Sequence, residues 1–364
     1  MRRLFLAMLC AAAVGCASAV APSSGPTGQR PPEQLSARSP GGGAASPASL
    51  PVDGAVAYVR GDKLVVVERG AARTVFAAQP GGVIRDPAFS PDGRSIAFAY
   101  TPPRPTPRPD APVAEQPRSS DVLLVDADGG NPRVGVPHGD PGVVLEAPAW
   151  SADSRSLIYD YYSSSHAGGN PASQTIELRS RELASGRGAT IARNARQAAV
   201  SRDGKWIVYA AYDAGRGTSL RIAPATDGDE RVLVPAGRLP TLIAPRFSPD
   251  GATVVFSAVT PAPPRRGAAR ASAPLEWLER LVVATPAYAH GVPWEVWSVP
   301  TEGGELRQLT TLAEDRPAAA WSPDGRRLLV RGEEALYLLH VASGAIETVE
   351  RDGSNTGIDW RAES

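Results

Sequence analysis

A short motif recurs five times along this 364-residue sequence and constrains the fold more than any other feature. Each copy reads Ser-Pro-Asp-Gly or a close variant and has a short apolar run on either side. The motif serines are Ser90, Ser151, Ser201, Ser248 and Ser322. Self-similarity at roughly 40–50 residues is typical of arrays built from one repeated supersecondary unit. We therefore interpret the chain as a repeat protein before considering any chemistry.

The motif predicts a β-hairpin turn. Proline at the second turn position presets φ, the serine and aspartate side chains cap the turn, and glycine at the fourth position accepts positive φ. Downstream of Ser90, the run Asp121–Val125 reads as a third strand. The segment Asp126–Asn131 reads as a tight turn before a fourth strand. Four strands per repeat predict a propeller blade.

Both ends of the chain are needed to count the blades. Residues 56–59, 64–67 and 74–76 read as the second, third and fourth strands of a first blade that lacks its inner strand. The segment Thr356–Arg361 resembles the strands that precede the motif, and its Trp360 lies 39 residues after Trp321. We therefore predict an all-β, six-bladed β-propeller over residues 51–364. Its C-terminal strand completes the first blade and closes the ring.

The N-terminus predicts export. A basic pair, Arg2 and Arg3, precedes the apolar run Leu4–Val14, as in a signal peptide spanning residues 1–19. Small residues before Cys16 favour cleavage there and lipid attachment to Cys16. An A-x-A site at Ala17–Ala19 would instead release a soluble protein. Residues 20–50, rich in Ala, Gly, Pro and Ser, then read as a flexible tether.

The repeats resemble those of the TolB-type β-propellers. The resemblance rests on Ser-Pro-Asp-Gly after an aromatic-ended strand, and on the segment Val125–Pro132 that follows in phase. It covers about 310 of the 364 residues and implies a six-bladed propeller exported to the cell envelope. TolB itself carries an α/β domain before its propeller, whereas here only the tether is expected. A role in the Tol system is therefore not implied.

Catalytic and metal-binding patterns are weak in this sequence. The segment Asp126–Asn131 lacks the ligand positions of a calcium loop and reads as a plain turn. The histidines lack the spacing of a metal-ligand pair, and there is no G-x-S-x-G nucleophile elbow. An alternative enzyme, of lyase or lactonase type, would use the central channel. Its candidate residues would be Asp86, Glu146, Asp315 and Asp359. We expect a non-catalytic protein without metal or cofactor.

Three insertions predict where a partner would bind. Residues 102–119, 163–173 and 260–292 fall between the second and third strands of their blades, so they are expected on one face. Tolerated loop growth is the alternative explanation. The segment Pro274–Val283 has helical periodicity. Candidate anchors on this face are Tyr161, Tyr162 and Trp277, because Tyr and Trp combine large contact area with few rotatable bonds.

The charge balance bears on the choice of partner. Lys and Arg together number 38, as do Asp and Glu, so the formal net charge is zero. This argues against a nucleic-acid partner, which would require a basic excess. The sequence therefore favours a binding scaffold in a bacterial cell envelope, with an envelope protein or a ligand as its partner and a lipid anchor to the membrane.

Overall fold

A computed structural model describes residues 50, 52–103, 118–167, 170–226, 228–260, 293–351, 353–354 and 356–363. For residues 165–167 and 170–173 it describes the backbone alone. Twenty-four strands form six antiparallel sheets of four strands each, and these are the six predicted blades. The Cys16 and Trp277 predictions, like most of the first and third insertions, lie outside the described residues.

Each blade is given from its inner to its outer strand. Blade 1 contains β24 (Ile358–Arg361), β1 (Ala55–Arg60), β2 (Lys63–Glu68) and β3 (Ala71–Ala77). Blade 2 contains β4 (Val83–Phe89), β5 (Ser95–Thr101), β6 (Asp121–Asp126) and β7 (Arg133–Val136). Blade 3 contains β8 (Val144–Trp150), β9 (Ser156–Ala167), β10 (Asn170–Glu182) and β11 (Gly188–Arg193). Blade 4 contains β12 (Ala195–Val200), β13 (Trp206–Asp213), β14 (Gly217–Pro224) and β15 (Arg231–Val234). Blade 5 contains β16 (Leu242–Phe247), β17 (Thr253–Val259), β18 (Trp294–Pro300) and β19 (Arg307–Gln308). Blade 6 contains β20 (Ala318–Trp321), β21 (Arg327–Arg331), β22 (Leu336–His340) and β23 (Ile346–Glu350).

The predicted ring closure is confirmed. Strand β24 pairs with β1, placing Trp360 opposite Val56 and Ile358 opposite Tyr58. Trp360 is only 6 % exposed, and its indole Nε1 donates to the carbonyl oxygen of Asp53 over 2.7 Å. The end of the chain and its first described strand therefore form one sheet.

The core is divided among the blade interfaces. Six apolar clusters each combine buried residues of two neighbouring blades, one cluster for each pair around the ring. The interface between blades 6 and 1 also contains a buried cation. Arg331 is 0 % exposed, lies 4.8 Å from the Tyr58 ring centroid and donates to the carbonyl oxygen of Val59 over 2.8 Å. This contact joins the two blades that the C-terminal strand brings together.

The second insertion differs from its prediction. Residues 163–173 were expected to form an irregular loop, but β9 and β10 continue their ladder through this segment. Ser163 pairs with Thr175, and the ladder reaches Ala167 opposite Asn170 after a register shift near Pro171. The strand-favouring residues Tyr162 and Ile176 pair directly before this segment, and the ladder that they begin continues into it.

The strand pairing defines two faces of the ring. The turns between the first and second strands of blades 2 to 6, and those between the third and fourth strands of every blade, lie at one end of the sheet. The connection between the second and third strands lies at the other end. We call these the turn face and the insertion face. The ends of all three predicted insertions lie on the insertion face, as expected.

Candidate functional site

The five motif turns share one hydrogen-bond network on the turn face. In each, the serine hydroxyl donates to the aspartate two residues later over 2.5–2.7 Å. The serine oxygen also accepts the backbone N–H five residues after it, at 2.9 Å in every copy. Glycine has positive φ at the fourth turn position in four copies, and Ser154 has it in the fifth. The predicted turn chemistry is confirmed.

These donors favour the ionised form of the turn aspartates. The hydrogen bond from the serine is the largest cause that lowers the pKa of Asp153, Asp250 and Asp324, and it lowers that of Asp203 to about 2. For Asp92, burial raises the pKa, but its hydrogen bonds outweigh that effect and the net shift is downward. The turn face therefore presents five stabilised carboxylates.

In five of the six blades a residue in the inner strand, or directly before it in blade 1, has positive φ four positions before the turn serine or its equivalent. These residues are Asp86, Ala147, Gln197, Ala244 and Gly357. In blades 2 to 5 the strand pairing shifts register at this point, which marks a β-bulge. Blade 6 pairs without a shift. The bulges turn backbone groups away from their own sheet.

Neighbouring blades supply acceptors for the bulged N–H groups. Asp86 N donates to Thr356 O over 2.6 Å, and Ala147 N donates to an Asp86 carboxylate oxygen over 3.3 Å. Gln197 N donates to Asp160 Oδ1 over 2.6 Å, and Ala244 N donates to Gln197 Oε1 over 3.0 Å. These contacts connect blades 1 to 2, 2 to 3, 3 to 4 and 4 to 5.

Burial raises the pKa of three carboxyl groups at this inner edge. The pKa of Asp86 rises to about 6, with a further contribution from the negative charge of Glu146. Burial also raises the pKa of Asp160, well above its usual range, and that of Asp359. The positive charge of Arg246 acts in the opposite direction on both Asp86 and Asp359. The centre of the ring therefore contains carboxyl groups whose ionised forms are destabilised.

A funnel of about 470 Å³ opens at the centre of the turn face. All six blades line it through the residue directly before the turn serine or its equivalent. These residues are Phe89, Trp150, Val200, Phe247, Trp321 and Trp360. Residues of the motif turns, including Pro91, Pro249 and Pro323, also line it. Its volume lies within the range of about 300–1,000 Å³ found for small-molecule pockets.

The two described candidate anchors lie at the insertion-face end of blade 3. Tyr161 is half-buried, packs against the core between blades 2 and 3, and lies beneath Arg179, whose guanidinium carbon is 3.3 Å from the ring centroid. Tyr162 is half-buried and donates to Asp160 over 3.4 Å. Burial, and then the negative charge of Asp160, raise the pKa of Tyr162. Their role in partner binding stays a prediction.

The predicted channel carboxylates are only partly grouped by the fold. The negative charge of Glu146 raises the pKa of Asp86, and the positive charge of Arg246 acts on both Asp86 and Asp359. Asp315 instead lies in the connection before β20. Elsewhere, His138 Nδ1 lies 2.7 Å from Asp121 Oδ1, an arrangement that could orient a base. In the described part of the chain, Asp121 is the only hydrogen-bond partner of that imidazole, so no nucleophile is paired with it.

Metal and membrane signals were searched among the described residues. They contain no group of three or more His, Cys, Asp or Glu residues that could hold a metal ion. The segment Asp126–Asn131 is a turn in which Gly130 N donates to Asp128 Oδ1 over 2.9 Å, as predicted. No helix in the described ranges is long and apolar enough to span a membrane.

Three residues at the centre of the ring were missed at the sequence level. Asp160 belongs to the second strand of its blade, and Gln197 and Arg246 belong to inner strands. An alignment of the repeats would have indicated Arg246. Two positions before the turn serine, blades 2, 3, 4 and 6 carry Ala88, Ala149, Ala199 and Ala320. An arginine in that register departs from the pattern of the repeat.

Comparison with known proteins supports the fold. No protein-family model matches the sequence, and no curated protein is similar to it. Among solved structures, TolB from Acinetobacter baumannii matches with a TM-score of 0.58 and 16% identity, over 85% of this chain and 67% of that one. A putative TolB from Agrobacterium tumefaciens matches with a TM-score of 0.41 and 15% identity, over 75% of this chain and 95% of that one. At these identities the likeness concerns the fold, and the chain folds as a six-bladed β-propeller of the TolB type.

Proposed function

We propose that this chain is a non-catalytic binding scaffold of a bacterial cell envelope, with its partner on the insertion face. The observation that carries the proposal is the asymmetry of the ring. Short turns with repeated hydrogen bonds occupy one face, and the long connections begin and end on the other. Loops held by a rigid scaffold are where binding usually occurs.

The long β9–β10 hairpin of blade 3 adds to this asymmetry. Strands β9 and β10 contain 12 and 13 residues, whereas the inner strand β8 of the same blade contains 7. The hairpin therefore projects beyond the inner strand on the insertion face. The exposed Ser164 lies on this projection, close to Tyr161 at its base. A partner with a standard interface would bury about 800 Å² per side on this face.

Localisation is the second part of the proposal. The basic pair, the apolar run and Cys16 support export followed by lipid attachment. Replacing Cys16 with Ser should move the protein from the membrane fraction to the soluble fraction. A mature N-terminus at Val20 would contradict lipidation, although export itself would remain supported.

The experiment that tests the binding face is affinity capture of the full chain from its native envelope. Tyr161→Ala and Tyr162→Ala are compared with Arg94→Ala and Arg326→Ala, which alter the turn face. We expect the captured partner to be lost in the tyrosine variants and kept in the arginine variants. Urea unfolding of each variant separates lost binding from lost folding. A partner that depends on the arginines and not on the tyrosines would contradict the proposal.

A further inference from the structure

The funnel on the turn face contains a cation that the fold leaves available. Among the described residues, Arg246 makes one hydrogen bond, from Nη1 to the carbonyl oxygen of Pro245 over 2.9 Å, and no ion pair. The side chain is half-buried and lines the funnel. A guanidinium carries five N–H donors, so most of its donors are free to meet a ligand.

The other charged groups of the funnel have partners within the protein. Arg361 pairs with Glu68 over 3.2 Å, and Glu363 pairs with Arg69. Asp92 accepts hydrogen bonds from its own turn. Asp359 accepts the N–H groups of Phe89 and Trp360, over 2.7 Å and 3.0 Å respectively.

The lining contains three cations and three carboxylates. Of the three cations, Arg246 and the exposed Arg202 at the rim form no ion pair among the described residues. The formal charges of the lining sum to zero, and the charge of Arg246 acts on Asp359 and Asp86, but among the described residues neither carboxylate forms an ion pair with its guanidinium.

The walls around Arg246 are apolar and aromatic. Five of the six residues directly before the turn serine or its equivalent are Phe or Trp, and they come from all blades except blade 4, which supplies Val200. In the register of Arg246, four blades carry alanine and blade 1 carries Asp359. The small side chains leave space into which the longer arginine can reach. A few charged or polar groups among apolar and aromatic walls are the usual composition of a small-molecule site.

We propose that the turn-face funnel binds a small organic anion with an aromatic or apolar body, whose carboxylate pairs with the guanidinium of Arg246. Arginine suits this role because its planar fork matches a carboxylate with two parallel hydrogen bonds. The aromatic rings would cover the body of the ligand. This site lies on the face opposite the proposed partner surface, so it goes beyond the proposed function and does not depend on it.

Calorimetric titration of the purified full chain with indole-3-acetate tests the proposal. We expect saturable one-to-one binding to the wild type. Arg246→Met should weaken binding at least tenfold, because it removes the charge while keeping an unbranched side chain. Arg94→Met, on the same face but outside the funnel, should leave the affinity unchanged. Ala362→Trp, which narrows the mouth at an exposed position, should also weaken binding.

A second comparison uses the wild-type protein alone and does not depend on the folding of any variant. Indole-3-acetamide has the same ring and nearly the same shape as indole-3-acetate but no charge, and we expect it to bind at least tenfold more weakly. The proposal is overturned if neither probe binds at millimolar concentration or if both bind equally. An affinity that Arg246→Met or Ala362→Trp leaves unchanged would also overturn it.

Discussion

Replacing Trp360 with Ala tests whether the C-terminal strand closes the ring. A buried Trp removes about 150–250 Å² from water, which corresponds to about 4–6 kcal/mol at 25 cal/mol per Å². Substitutions of buried Phe or Trp by Ala cost about 3–5 kcal/mol, so the two estimates agree. Trp360 is 6 % exposed and loses its hydrogen bond to Asp53 O in the variant. We expect the free energy of unfolding in urea to fall by about 4 kcal/mol.

Trp150→Ala is the matched control for this prediction. Trp150 ends the inner strand of blade 3, is 7 % exposed and donates from Nε1 to Ala88 O over 3.0 Å. If the last strand is a true inner strand, the two variants should lose similar free energy. Deletion of residues 358–364 should be more severe, because it leaves the edge of β1 unpaired. Ring closure by this strand would be refuted if Trp360→Ala lost less than about 1 kcal/mol of unfolding free energy while Trp150→Ala lost about 4 kcal/mol.

Three further predictions concern the turns and the centre of the ring. Burial raises the pKa of Asp86 to about 6, so the folded protein holds this proton more tightly than the unfolded chain. The free energy of unfolding should therefore fall as pH rises from about 4 to about 6. In urea unfolding at a series of pH values, Asp86→Asn should flatten that slope. The variant should also be more stable than the wild type at pH 7, by on the order of 2 kcal/mol. Ser322→Ala removes the acceptor of Arg327 N at a fully buried position and should lower the urea midpoint, at a cost of about 1–3 kcal/mol. Gln197→Leu leaves Ala244 N without its acceptor and should cost a similar amount.

The repeat made most of the fold predictable. The Ser-Pro-Asp-Gly turn is a local structure, because the hydrogen bonds of its serine reach only the aspartate two residues later and the backbone five residues later. One copy therefore predicts a hairpin, and five copies in phase predict blades. Trp360 could be assigned to the first blade because it falls in the same register as Trp321.

The centre of the ring could not be predicted in the same way. Its contacts join residues that are distant in sequence, such as Asp160 with Gln197 and Asp86 with Thr356. The bulges that allow these contacts occur at Ala147 and Ala244 as well as at Asp86, so residue type does not reveal them. The extended hairpin of blade 3 was missed because length alone suggested a loop.

Photo-crosslinking in the native envelope tests the proposed function most directly. A photoreactive residue at Ser164, exposed on the blade 3 hairpin, is compared with one at Arg94, exposed on the turn face. Neither position lies in a blade interface, so both variants should fold. The binding-scaffold account predicts a discrete crosslinked protein from position 164 and none from position 94. A discrete product from position 94 with none from position 164 would contradict it.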